Sequence, residues 1–285
     1  MKKTLLVFLA FLMALSACSE SIQPEQGEIL FDIGYPVTKA TATSFERGDA
    51  ISLYAVAWDG ETQYPLQVGG NFLNNECLTY DGSSWSASKK LYWGDQPCDF
   101  YALYPYQANV GSVEKYPFTL AADQNGDGYE SSDLLYAYTE KAARSGGAVK
   151  LQFKHLLSKL VVKLEKGEKF EGDIPDDVVA HLYNTIATCS VDWTNGSIAK
   201  DPFAGKPTIT MKKITNERFE AVVVPQNIEK RTPLIELTMG GIAYLLDYSL
   251  SFRPGYVHTV TVTLNTSPDQ EQIEISIDPT TGNWN

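Results

Sequence analysis

Apolar and polar side chains alternate most clearly near the middle of the chain. In residues 148–164, AVKLQFKHLLSKLVVKL, one face carries Val149, Leu151, Phe153 and His155, and the other carries Lys150, Gln152 and Lys154. This period of two is the pattern of a half-buried strand. After Leu156 and Leu157 the parity changes, so that Leu160, Val162 and Leu164 share a face with Ser158, opposite Lys159, Val161 and Lys163. An uninterrupted strand would turn its apolar set to the other side there. The pattern therefore predicts a bulge or break, and a crossing point between two β domains. Leu157, Leu160, Val161 and Leu164 would also make a helical stripe, but the Val-Val pair and the strand before it favour β.

Upstream, residues 29–37 read as a first strand with Leu30 and Ile33 as core contacts, and residues 51–58, apolar on both sides, read as a central strand. Between them, residues 38–44, TKATATS, are small and polar with Lys39 near the start, the kind of exposed loop a protease opens. Residues 78–80, the Asp81-Gly82 turn, Trp85 and residues 91–93 read as a hairpin, and residues 99–106 as a strand ended by Pro105. Downstream, residues 176–183 predict one short helix, and Thr194-Asn195-Gly196-Ser197 is a strong hairpin turn. Strands follow at 208–214, 219–224, 234–239, 243–250 and 257–264. The whole is all-β and mostly antiparallel, divided as residues 29–149 and 150–285. In residues 271–284, Ile273, Ile275 and Ile277 alternate with Glu274 and Ser276, with Trp284 at the end and a polar hinge, NTSPDQ, before them. One apolar face suits a strand donated to a neighbour; it equally suits an ordinary last strand.

Composition adds the compartment. The 285 residues are 44% hydrophobic and 12% aromatic, enough for a sizeable core. A net charge of −12 without a basic stripe argues against nucleic acid as a partner. Lys2 and Lys3 precede an apolar run over residues 5–15 that is too short for a membrane span, and Leu15-Ser16-Ala17-Cys18 closes it. That tetrapeptide resembles a bacterial lipobox, which implies removal of residues 1–17 as a signal peptide and lipidation of Cys18. Residues 18–28 then form a polar tether from lipid to fold. Cys77, Cys98 and Cys189 remain, so at most one internal disulfide can form. Cys77 and Cys98 flank the hairpin and could pair; burial as small hydrophobes is the alternative for all three.

Candidate chemistry is sparse. The three histidines, His155, His181 and His258, belong to no H-E-x-x-H, and the chain has no G-x-S-x-G or C-x-x-C. His155 on a strand face reads as a satisfied core residue. Asp123, Asn125, Asp127 and Gly128 match the opening of a calcium loop, but position twelve is Leu134, Asp133 comes one place early and no flanking helices are evident. A solvated Asn-Gly-Asp-Gly turn fits better. The aromatic density from Tyr80 to Tyr106 reads as core filling, not as a sugar platform. These observations point to no cofactor and no enzyme.

A larger resemblance gathers these pieces. In the first half they are Thr43-Ser44-Phe45 with Gly48-Asp49-Ala50-Ile51, Tyr92-Trp93-Gly94, Phe100-Tyr101-Ala102-Leu103-Tyr104-Pro105 and Asp133-Leu134-Leu135-Tyr136-Ala137. Residues 153–160, FKHLLSKL, supply the centre. Residues 189–193 with Asn195-Gly196, Val222-Val223-Val224-Pro225-Gln226, and Arg253-Pro254-Gly255-Tyr256 complete the set. In this order and spacing they resemble the fimbrillin-like (Mfa-like) family of Bacteroidales outer-membrane lipoproteins. The resemblance implies two tandem transthyretin-like β-sandwich domains, a lipid anchor in the outer membrane, display on the cell surface, and assembly with other subunits into type V pili. In such members a trypsin-like protease removes the first strand, and a neighbour's strand fills the groove. At the cut this chain has Lys39 in place of the usual Arg, with Arg47 as a second candidate. The role implied is a pilus subunit or a pilus-associated adhesin with a host or bacterial surface ligand; a stand-alone surface lipoprotein binding a glycan or host ligand is the alternative.

Overall fold

The computed structural model describes residues 27–36, 44–267 and 275–285, without the side chains of residues 275–276. Cys18, Lys39 and Ile273 lie outside the described residues. Strand Ala50–Asp59 is central because both of its parity sets are apolar: Ile51, Leu53 and Ala55 enter one core, Tyr54 and Val56 another. It pairs antiparallel with Leu73–Tyr80 on one side and Cys98–Tyr104 on the other. The sheet then extends to Trp85–Ala87 at one end and through Leu135–Ala142 to Lys154–His155 at the other. The expected hairpin forms with Tyr80 opposite Trp85, and the Asp81 carboxylate closes its turn by accepting from the Ser83 and Ser84 amides at 2.7 and 2.8 Å. Residues 91–93 do not extend it; Tyr92 instead bridges to Glu28.

The central stretch breaks where its parity changes. Val149–Gln152 pairs parallel with the first strand, Phe31–Gly34, and Lys154–His155 joins Leu135–Ala142. From Ser158 the chain belongs to a different sheet, with Ser158–Lys169 lying between Arg218–Val223 (antiparallel) and Tyr256–Thr266 (parallel). Leu156 and Leu157 are the step between sheets, both buried. Lys212–Thr215 and Ile275–Asn283 form the two edges of this five-stranded sheet. It shares one core with a four-stranded sheet of Ile209–Thr210, Val179–Leu182, Pro233–Met239 and Ile242–Asp247.

The two halves are joined by more than the chain. Tyr116–Thr119 pairs antiparallel with Thr188–Asp192. Trp193, fully buried, receives the ring edges of Tyr54 and Tyr116 at 5.4 and 5.7 Å, and its carbonyl accepts from the Tyr136 hydroxyl at 2.9 Å. One apolar cluster thus runs from the back of the first sheet into the second half.

Four expectations are corrected. Residues 176–183 contain strand Val179–Leu182 instead of a helix, because ladders to Pro233–Met239 and Ile209–Thr210 claim its backbone groups. Leu30 is 43% exposed, since it and Ile33 have opposite parity; Ile29, Phe31 and Ile33 face inward. Lys159 and Val161 are buried because the outer face of their strand is covered as well. A six-residue helix, Asp127–Ser132, follows the Asn-Gly turn, where no helix was evident.

Candidate functional site

The first strand is held in two ways along its length. At its start the Ile29 amide donates to the Leu91 carbonyl at 2.7 Å and the Trp93 amide to Gly27 at 2.6 Å. Beyond that point Phe31–Gly34 turns onto Val149–Gln152, and no other strand among the described residues pairs with its outer edge. That edge borders a cleft of about 820 Å³ bounded across by Trp85, Ala87 and Lys89. Phe31 packs edge-on against Phe100 at 6.1 Å, and Tyr35 against Phe45 at 4.9 Å. Ile33 also packs on this core, whose floor is Leu53, Phe100, Leu151 and Phe153. The strand therefore covers an apolar surface that would be open without it.

Phe45 is the anchor just after the lysine-bearing segment. It is buried, and its ring meets Tyr35, Trp85, Tyr104 and Phe153 edge-on within 4.9–5.7 Å. Arg47 is exposed, but in a tight turn: the Asp49 amide donates to the Glu46 carbonyl at 3.0 Å, and the Gly48 amide to Tyr80 at 2.8 Å. The two candidate processing residues thus flank a core plug.

The last strand, Ile275–Asn283, is the edge of its own sheet and pairs antiparallel with Tyr256–Thr266. Ile277 packs against the core, residues 278–283 are exposed, and Trp284 is buried. Pro279 sits within it, which an edge strand tolerates because no neighbour needs its missing N–H. Trp284 stacks on the His155 ring at 3.7 Å and 9°. His155 Nδ1 in turn lies 2.8 Å from Asp133 Oδ1, and Tyr35 donates its hydroxyl to Asp133 Oδ2 at 3.2 Å. His155 is the satisfied core residue expected, but the groups satisfying it come from both ends of the fold. Sequence reading singled out Trp284, His155 and Asp133 separately, the last as a misplaced calcium-loop carboxylate; Tyr35 was missed, and no spacing signal links residues so far apart.

Other candidates resolve into structure. Asp123 accepts from the Asn125 amide at 3.0 Å, closing the turn. Phe100 and Tyr101 are buried core, and Tyr80, Trp85, Trp93 and Tyr104 pack against it. Cys77 and Cys98 are unpaired thiols, facing Ser52 and Ala57 at separate places along the central strand. Burial, helped by Asp99, pushes the Cys98 thiol up to about 11, and burial pushes Cys189 up to about 12, so both stay protonated and unreactive.

Residues 38–284 match the sequence profile of the fimbrillin-like family. The chain belongs to the fimbrillin-like family. No curated protein matches it. Among solved structures, a candidate cell adhesion protein from Bacteroides uniformis is similar to this fimbrillin-like chain with a TM-score of 0.70 at 19% identity, over 92% of this chain and 100% of that one. A second candidate cell adhesion protein, from Bacteroides ovatus, gives 0.70 at 18% identity over 90% and 96%. A fimbrial protein from Bacteroides ovatus gives 0.54 at 19% over 86% of this chain and 51% of that one. At these identities the likeness establishes the fold. No helix among the described residues is long and apolar enough to cross a membrane.

Proposed function

We propose that this fimbrillin-like chain is a structural subunit of a cell-surface fimbrium, carried to the outer membrane by a lipid on Cys18 and assembled with other subunits by strand exchange. The observation that carries the reading is the first strand. It covers an apolar floor, pairs over Phe31–Gly34 with Val149–Gln152 alone among the described strands, and leads into a segment containing Lys39. Cutting after Lys39 releases it and leaves Phe45 in place. Cutting after Arg47 would also remove Phe45, and with Glu46 the carbonyl that the Asp49 amide bonds, so Lys39 is the better site.

The incoming strand must present apolar residues at every second place, as Ile29, Phe31 and Ile33 do. Ile273, Ile275 and Ile277 of another copy meet that requirement, and Trp284 ends the donated segment. Each Ile is worth about 1.5–3 kcal/mol when fully buried, and the groove adds main-chain bonds. N-terminal sequencing of surface material tests the reading: chains should begin near Ala40, and Lys39→Ala should abolish that species. If every surface chain begins at Cys18, the strand-exchange role fails. Cys18→Ala should release the protein from membranes, and membrane retention without acyl label would remove the lipid anchor.

A further inference from the structure

We propose that His155 is a latch through which the first strand holds the last strand in place, so that loss of the first strand loosens the last. Three groups surround its ring. Trp284, from the end of the chain, stacks on one face. Tyr35, from just beyond the first strand, lies edge-on at 5.9 Å. Asp133 bonds Nδ1, and Tyr35 bonds the other oxygen of that carboxylate. The His155 backbone also takes part, its amide donating to Asn285 Oδ1 at 2.6 Å.

The latch matters because the last strand has few other anchors. From residue 278 to 283 its side chains are exposed, so Trp284 is the buried fixing point at its C-terminal end. The turn at Arg253-Pro254-Gly255 receives this end, with the Trp284 amide donating to the Gly255 carbonyl at 2.8 Å. Gly255 has φ +70°, and a Cβ there would lie 2.0 Å from the Asn285 side chain, so the seat is shaped for these last two residues. Removing the first strand takes Tyr35 from both Asp133 and the His155 ring and admits water to a pair that is now almost fully buried. The ring is held less firmly, the stack on Trp284 weakens, and the edge strand depends more on its ladder, the Ile277 contact and the bonds to Gly255 and Asn285. The purpose of the latch rests on the strand-exchange reading: a subunit would release its donor strand only after being cut. Its geometry does not depend on that reading.

Hydrogen–deuterium exchange on the purified full chain tests it. Tyr35→Phe removes the bond to Asp133 and keeps the ring against Phe45; Tyr35→Ala removes both. Either should speed exchange severalfold in peptides covering residues 275–285, while Arg218–Val223 and an edge strand of the four-stranded sheet, Ile242–Asp247, stay at the native rate. On a Trp284→Ala background, where the last strand is already loose, the Tyr35 change should add little. Unchanged exchange in 275–285 in both variants overturns the latch, and so does a rise shared by all peptides. Filament formation after proteolysis is read separately. Faster exchange without filaments upholds the latch and removes the fimbrial reading, whereas filaments with unchanged exchange remove the latch alone.

Discussion

Lys159 falls on the solvent side by alternation, yet only 8% of it is exposed. Its ammonium lies 2.6 Å from Glu220 Oε2, and Arg218 holds the other carboxylate oxygen at 2.5 Å. Tyr129, from the short helix, donates to Glu220 at 3.2 Å. Burial alone would push the Glu220 carboxyl up, but Lys159 and Arg218 together outweigh it and hold the carboxyl below its ordinary 4.5. A carboxyl lowered by folding contributes stability that is complete above its unfolded pKa and is lost as the pH falls through the folded one. Urea unfolding of Glu220→Gln should therefore lose the part of the acid-side decline that begins below about pH 4.5 in the native chain. Lys159→Ala leaves the buried carboxylate with only Arg218 and Tyr129 as partners and should cost about 1–3 kcal/mol near neutral pH; a loss under about 1 kcal/mol would mean water already reaches the pair. His155 was legible as core because its own strand face is apolar. Lys159 was not, because alternation assigns a side of the strand and says nothing of what covers that side.

At the scale of elements, turn chemistry and double-sided apolar runs carried most of the information. The Thr194-Asn195-Gly196-Ser197 turn forms where its residue types require, with Gly196 at φ +69°. A Cβ on Gly196 would also lie 2.4 Å from the Tyr136 ring. Gly196→Ala should therefore destabilise by about 1–3 kcal/mol through overpacking, before any backbone strain is counted; a neutral thermal midpoint would show that the hairpin shifts freely. The strand at Val179–Leu182 was illegible because its ladder partners lie much later in the chain and leave no local mark. The first strand was legible as a strand, but its inward set was misassigned by choosing Leu30, an error of one residue that moves a side chain to the opposite face. The proposed strand exchange depends on that face, since Ile29, Phe31 and Ile33 are what a donor would replace.

For the whole molecule, the change of parity at Leu156 and Leu157 is the one local signal that the chain leaves one sheet for another, and the structure makes the step there. The continuous core around Trp193 left no such signal, because it joins residues from Tyr54 to Trp284 that no window spans. It backs the sheet whose opposite face carries the first-strand floor and reaches the last strand at Trp284, so the strand exchange proposed above would leave this core unbroken. Substituting Ile273→Asp should leave a folded, lipidated chain that cannot donate, since the change puts a charge on the face the groove must bury. The most direct test of the account is limited digestion of the purified chain with a trypsin-like protease, followed by electron microscopy and N-terminal sequencing of the product. The account predicts filaments built of chains that begin near Ala40; chains cleaved there that shed the first strand and remain monomeric would contradict it.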